Sequence, residues 1–231
     1  WFGDELARQG FVVIVPDMLY WGSRSTKECQ QWSRVKFCGE HGDLKALKDV
    51  VYEGQRAVYD SLAAKGVIWA EKTIQEDAAA ARLLKGLKYV DKKNIGVFGW
   101  SMGAHRAWLL AAFCKDIKTG VALCWMTLKE TCDNPPKASD YSMMIPRLRD
   151  VYDFPDIALW LAPKPFFLLN GDVDKLFPVP QTSEAFDRMQ MIYSEKNASG
   201  KLRTEFFHGP HHCGVAEQKT ITDYLKSELD Y

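Results

Sequence analysis

An apolar run, Asn94-Ile95-Gly96-Val97-Phe98, leads directly into Gly99-Trp100-Ser101-Met102-Gly103, and a helix-forming stretch from Ala104 to Ala112 follows. Strand, tight turn and helix in that order is the setting in which a serine is thrust out on a strained corner as a nucleophile. The G-x-S-x-G pattern alone arises by chance in roughly one chain of this length in fifteen. Its weight comes from the strand and helix on either side. Both glycines are expected to be steric necessities, because strand and helix pass so closely that a Cβ at either position clashes. The Met102 amide, at the positive end of the helix dipole, then faces any developing oxyanion.

The rest of the chain repeats this unit. Apolar positions in residues 1–9 suit a short helix stopped by Gly10, and Phe11-Val12-Val13-Ile14-Val15 reads as a strand buried on both faces. Residues 18–40 read as loop, and helical patterns run over 44–65 and 72–87. Further strands are expected at 94–98, 119–125, 165–170 and 203–207, alternating with helices at 102–113, near 155–161, at 181–195 and at 215–228. An irregular stretch occupies 126–150. Strands separated by helices of this length predict βαβ units, hence a mostly parallel sheet flanked by helices. With 231 residues and 47% hydrophobic content, one α/β domain over 1–231 is the natural reading. The helical segment at about 44–87 contributes to a lid or lengthens the helix layer.

Composition excludes several classes. Thirty basic residues balance thirty acidic ones, which leaves no global field for nucleic acid or an anionic membrane. No apolar stretch is long enough to cross a bilayer, so a soluble protein without a membrane partner is expected. Six cysteines, at 29, 38, 114, 124, 132 and 213, contain no C-x-x-C pair, which argues against structural zinc or a disulfide scaffold. Cys114 and Cys124 read as small core residues; Cys29 and Cys38 share a loop-like region and leave pairing open. The chain begins at Trp1 and enters a helical pattern at once, so its natural N-terminus is expected to lie upstream, and the compartment and oligomeric state stay open.

A serine hydroxyl needs a general base, and that base needs a carboxylate to orient it. In open α/β sheets such groups gather in loops beyond the carboxyl ends of the strands. The strand at 165–170 runs into Gly171-Asp172-Val173-Asp174. Asp172 suits a turn-forming role and Asp174, further out, is favoured as the acid. The last strand ends in His208-Gly209-Pro210-His211-His212-Cys213. This spacing does not match familiar metal sites, so no metal is assigned. His211 and His212 are the candidate bases, and the order Ser, Asp, His, each after a strand, supports a triad. His105, four residues past Ser101, reads as a packed neighbour of the site. Tyr20, Trp21 and Trp125 follow expected strands and are candidate pocket residues.

Three segments resemble the α/β-hydrolase superfamily, in its dienelactone-hydrolase-like and acetyl-xylan-esterase-like branch: GFVVIVPDMLYWGSR, DKKNIGVFGWSMGA and DIALWLAPKPFFLLNGDVDKLFP. The resemblance covers nearly the whole chain and implies an α/β-hydrolase fold. It implies Ser101 as nucleophile, Asp174 as acid, and His211, in the Gly209-Pro210-His211 frame, as base, with His212 the runner-up because the doubled histidine departs from the pattern. Family members have strands before the one at 11–15, and a loop after one of them supplies a second oxyanion amide beside that of Met102. The chain is thus expected to lack those N-terminal strands. The implied activity is hydrolysis of carboxylic esters through an acyl-enzyme, on small acyl esters of carbohydrates, with no cofactor. A peptidase or thioesterase using the same triad, and a non-catalytic hydrolase-like binding protein, stay open.

Overall fold

A computed structural model of the chain describes residues 2–25, 27, 44–129, 141–146 and 148–230. Among these, four strands lie side by side in chain order, all parallel: β1 (Gly96–Trp100), β2 (Thr119–Leu123), β3 (Phe166–Gly171) and β4 (Leu202–Phe207). Each is short, β4 carries the polar residues Arg203, Thr204 and Glu205, and the largely apolar β2 and β3 are buried along their whole length. That is the pattern of strands covered on both faces.

Alternation along the strands sorts the covering helices. One face presents Ala122, Phe166 and Leu168 to α4 (Met102–Phe113) and α5 (Val179–Glu195), through Ala104, Trp108, Phe186 and Met189. The opposite face presents Val121, Leu123, Phe167 and Leu169 to α1 (Phe2–Arg8) and α6 (Val215–Glu228), through Leu6, Ile221, Tyr224 and Leu225. Successive strand residues point to opposite sides, so one sheet feeds two separate apolar cores.

Two long helices precede β1: α2 (Leu44–Ala63) and α3 (Trp69–Gly86). Ile74, Ala78, Ala81 and Leu84 of α3 pack on the α4 side, so α3 extends the helix layer. An ion-pair chain adds to this packing. Asp77 of α3 accepts from Arg106 of α4 at 3.0 and 2.5 Å, and neighbouring Glu76 accepts from Arg24 at 2.7 and 3.0 Å. The first bidentate contact ties α3 to α4, and the second fastens the turn at Gly22–Arg24 to α3. No helix among the described residues is long and apolar enough to cross a membrane.

One expected element is absent. Residues 11–15 form no ladder with any described strand, and Val15 is 79% exposed. Phe11 and Val13 pack on the second core while Val12 and Val15 face outward, so the segment is half-covered and not buried on both faces. A continuous apolar run does not itself specify pairing; a strand needs a partner's backbone groups. The other expected strands and helices form within a few residues of their expected limits. Short helical turns at Phe154–Ile157 and Ala158–Leu161 precede β3. Cys29, Cys38 and Cys132 lie outside the described residues.

Candidate active site

Ser101 occupies the corner between β1 and α4 with φ 55° and ψ −123°, a left-handed conformation that a side-chain-bearing residue adopts only when its surroundings hold it there. Three contacts do so. The Ser101 N–H donates to the Leu123 carbonyl at 2.8 Å, and the Ser101 carbonyl accepts from the amides of Ala104 at 2.8 Å and His105 at 3.2 Å. A Cβ on Gly99 would lie 1.8 Å from the Gly103 carbonyl oxygen, so strand and helix touch backbone to backbone there. Gly103 differs from the expectation: a Cβ there meets nothing within 4 Å. The steric requirement falls on Gly99 alone, because the close approach points from the strand into the helix and not the reverse.

The loops after β3 and β4 bring the other candidates to the same end of the sheet. His211 Nε2 lies 2.8 Å from Ser101 Oγ, and its Nδ1 lies 2.7 Å from Asp174 Oδ2. The Asp174 side chain is buried; its Oδ1 accepts the amides of Leu176 at 2.8 Å and Phe177 at 3.2 Å. Burial alone would raise its pKa. The His211 hydrogen bond, the two amides and the His211 charge together outweigh that and hold the carboxyl below its ordinary range. An ionised carboxylate on Nδ1 leaves Nε2 as the nitrogen able to accept a proton from Ser101.

The neighbouring residues part company with this line. His212 turns away, with Nε2 3.3 Å from Glu217 and Nδ1 3.1 Å from the Pro210 carbonyl. Asp172 plays the turn role expected of it: it accepts from the Gly209 amide and pairs with His208 Nδ1, each at 3.0 Å. The His208 hydrogen bond first, and the Gly209 amide second, hold the Asp172 carboxyl below its usual range. A depressed folded pKa means that the stability this latch adds is present above the unfolded value of about 4 and is lost as pH falls through the folded value. Asp172→Asn is therefore expected to lower the urea midpoint at pH 7 and to converge with the wild type in acid. A gap that persists unchanged to pH 2 would contradict this account.

His105 is buried and stacks on Trp125 at 4.0 Å and Trp108 at 4.5 Å; burial lowers its pKa to about 3, so it packs as a neutral ring. The expected pocket residues are not all placed for that purpose. Trp125 is 2% exposed, enclosed by His105, Phe154 and Phe177, and Tyr20 is buried edge-on against Trp69. Neither offers a ring face to a ligand, because the backbone turns them into the core. Trp21 is partly covered by the first core.

Three residues at the site carry no sequence expectation of that kind. Cys124, at the end of β2 with φ 54°, has its Sγ within 4.8 Å of the ligating atoms of Asp174 and His211. Burial pushes the Cys124 thiol up to about 12, so beside the imidazole and the carboxylate it stands as a neutral thiol. Phe177 stacks on the His211 ring at 5.8 Å, and Trp100 leans on it at 5.6 Å. The end-of-strand rule that located Asp174, applied to β2, points to Cys124 as well.

The model of the dienelactone hydrolase family matches residues 2–139, well over half of the chain. The chain belongs to the dienelactone hydrolase family. This family member is 23% identical over 208 residues to YtaP of Bacillus subtilis (strain 168), provisionally named a hydrolase, covering 87% of this chain and 60% of YtaP. Among solved structures it is similar to a Bacteroides fragilis protein provisionally described as an acetyl xylan esterase, with a TM-score of 0.65, 17% identity, and coverage of 89% of this chain and 49% of that one. A glucuronoyl esterase from Sporotrichum thermophile matches with a TM-score of 0.54 and 17% identity over 68% of this chain and 52% of its own. At such identities the likeness establishes the α/β-hydrolase fold. The chain thus spans between about half and three fifths of the length of these relatives.

Proposed function

We propose that this dienelactone hydrolase family member is a serine hydrolase that cleaves carboxylic esters through an acyl-enzyme. The observation that carries the reading is the continuous line Asp174–His211–Ser101, with links of 2.7 and 2.8 Å. In this scheme His211 Nε2 takes the Ser101 proton as Oγ bonds to the ester carbonyl carbon. The tetrahedral oxyanion faces the start of α4, where the Met102 amide donates. His211 returns the proton to the alcohol as the C–O bond breaks, then activates water to release the acid. Asp174 keeps the imidazole in the required tautomer. We further propose small acyl esters of carbohydrates as substrates; the acetyl xylan esterase description of the Bacteroides fragilis relative supports that class.

A fluorophosphonate probe tests the central claim in the full-length protein. One adduct on Ser101 is expected, absent in Ser101→Ala. A folded wild type that acquires no adduct at Ser101 would remove the reading.

A further inference from the structure

We infer that Trp100 is a specificity-determining platform for the alcohol side of the ester, favouring leaving alcohols that carry a six-membered ring, pyranose or aryl, over short alkyl alcohols. The inference rests on the roles proposed for Ser101 and His211 and extends them to the substrate.

The tryptophans near this end of the sheet behave differently. Trp108 and Trp125 are buried in the first core, whereas Trp100 is 44% exposed although it directly precedes Ser101. Single exposed apolar residues are common, but this indole stands beside the reactive hydroxyl, where aromatic side chains line ligand sites. Its position is rigid. Trp100 ends β1 in register with Leu123 of β2, and the close approach at Gly99 prevents the strand end from shifting.

Its location selects which half of the substrate it meets. The Trp100 ring centroid lies 5.6 Å from that of His211, with the planes tilted by 34°. The departing alcohol oxygen must come within about 3 Å of His211 Nε2 to receive its proton. A substituent one or two bonds further out then reaches the open part of the indole. The acyl carbon, by contrast, is bonded to Ser101 Oγ and its oxygen faces the start of α4. The indole therefore meets the alcohol and not the acyl group. An aromatic face attracts C–H groups, and the C–H face of a pyranose or the edge of an aryl ring covers far more of it than an ethyl group does. With Tyr20 and Trp125 enclosed, Trp100 takes the pocket role expected of them.

The test compares three esters that yield the same acetyl-enzyme, so deacylation cancels: benzyl acetate, methyl 2-O-acetyl-β-xylopyranoside and ethyl acetate. Trp100→Leu keeps an apolar side chain against His211 but removes the ring; Trp100→Phe keeps a smaller ring. The expected result is a roughly five- to tenfold fall in kcat/KM for the two ring esters relative to ethyl acetate in Trp100→Leu, most of it retained in Trp100→Phe. An equal fall on all three esters, which is what a purely structural prop for His211 would give, overturns the inference. So does a wild type with no preference for ring alcohols. Failure of the underlying serine-hydrolase reading is visible separately, as the lack of a fluorophosphonate adduct on wild-type Ser101.

Discussion

Gly99→Ala is expected to cost at least about 4 kcal/mol of stability, more than the 1–3 kcal/mol typical of an overpacked site. The added methyl would sit 1.8 Å from the Gly103 oxygen, 2.1 Å from the Gly103 carbonyl carbon and 2.6 Å from the Ala104 nitrogen. All three are backbone atoms, so no side-chain rotation relieves the clash. The backbone cannot retreat on either side. Gly99 pairs with Ala122 inside the sheet, and α4 is pinned by Ala104, Trp108 and Leu109 in the first core. Relief requires parting strand from helix, which also releases the φ 55° conformation of Ser101. For a chain of this size the melting temperature should fall by roughly 10 °C or more. Gly103→Ala is the matched control: with open space around its Cβ and a helical position, it should be neutral or stabilising by up to about 1 kcal/mol. Thermal and urea unfolding of the two variants decide the point. A Gly99→Ala protein within 1 kcal/mol of the wild type would show that the elbow is looser than its geometry implies.

The same two glycines show what the sequence makes legible. Local pattern identified the elbow, because strand, G-x-S-x-G and helix are neighbours along the chain, and it located helices such as Met102–Phe113 and Val215–Glu228 to the residue. The direction of the close approach at the elbow is a tertiary fact, and the expectation for Gly103 went astray there. Residues 11–15 failed for a related reason. Apolar residues drive burial, but a strand also requires a backbone partner, and none of the described strands supplies one. At the site, each expected partner lay after a strand, which brought Asp174 and the pair His211 and His212 into view, while the preference for His211 came from the Gly209-Pro210-His211 frame of the resemblance. Which aromatic ring faces solvent depends on backbone conformation at single residues, such as φ 74° at Tyr20, and no spacing rule encodes it. Position after a strand therefore pointed to Tyr20, Trp21 and Trp125, while the exposed ring beside Ser101 belongs to Trp100 inside the motif itself.

His211→Ala is expected to lower kcat by about 10⁴-fold or more, with His212→Ala remaining within about tenfold of the wild type. The adjacent imidazoles are chemically identical, so geometry alone separates them. Only His211 has one nitrogen 2.8 Å from Ser101 Oγ and the other 2.7 Å from the Asp174 carboxylate. His212 instead spans the Pro210 carbonyl and Glu217, whose carboxylate also accepts the Gly214 amide at 2.8 Å at the start of α6. Its loss should loosen the entry to α6 and register as reduced stability. The two variants should thus exchange phenotypes: His211→Ala folds normally but is nearly inactive, and His212→Ala is active but melts earlier. Hydrolysis of 4-nitrophenyl acetate measured beside thermal unfolding reads both. An inactive His212→Ala beside an active His211→Ala would reverse the assignment, and it would require the loop from Gly209 to Gly214 to turn over in solution. That movement would break the 2.7 Å contact to Asp174 and leave a buried carboxylate without its imidazole hydrogen-bond partner, a change expected to cost about 1–3 kcal/mol.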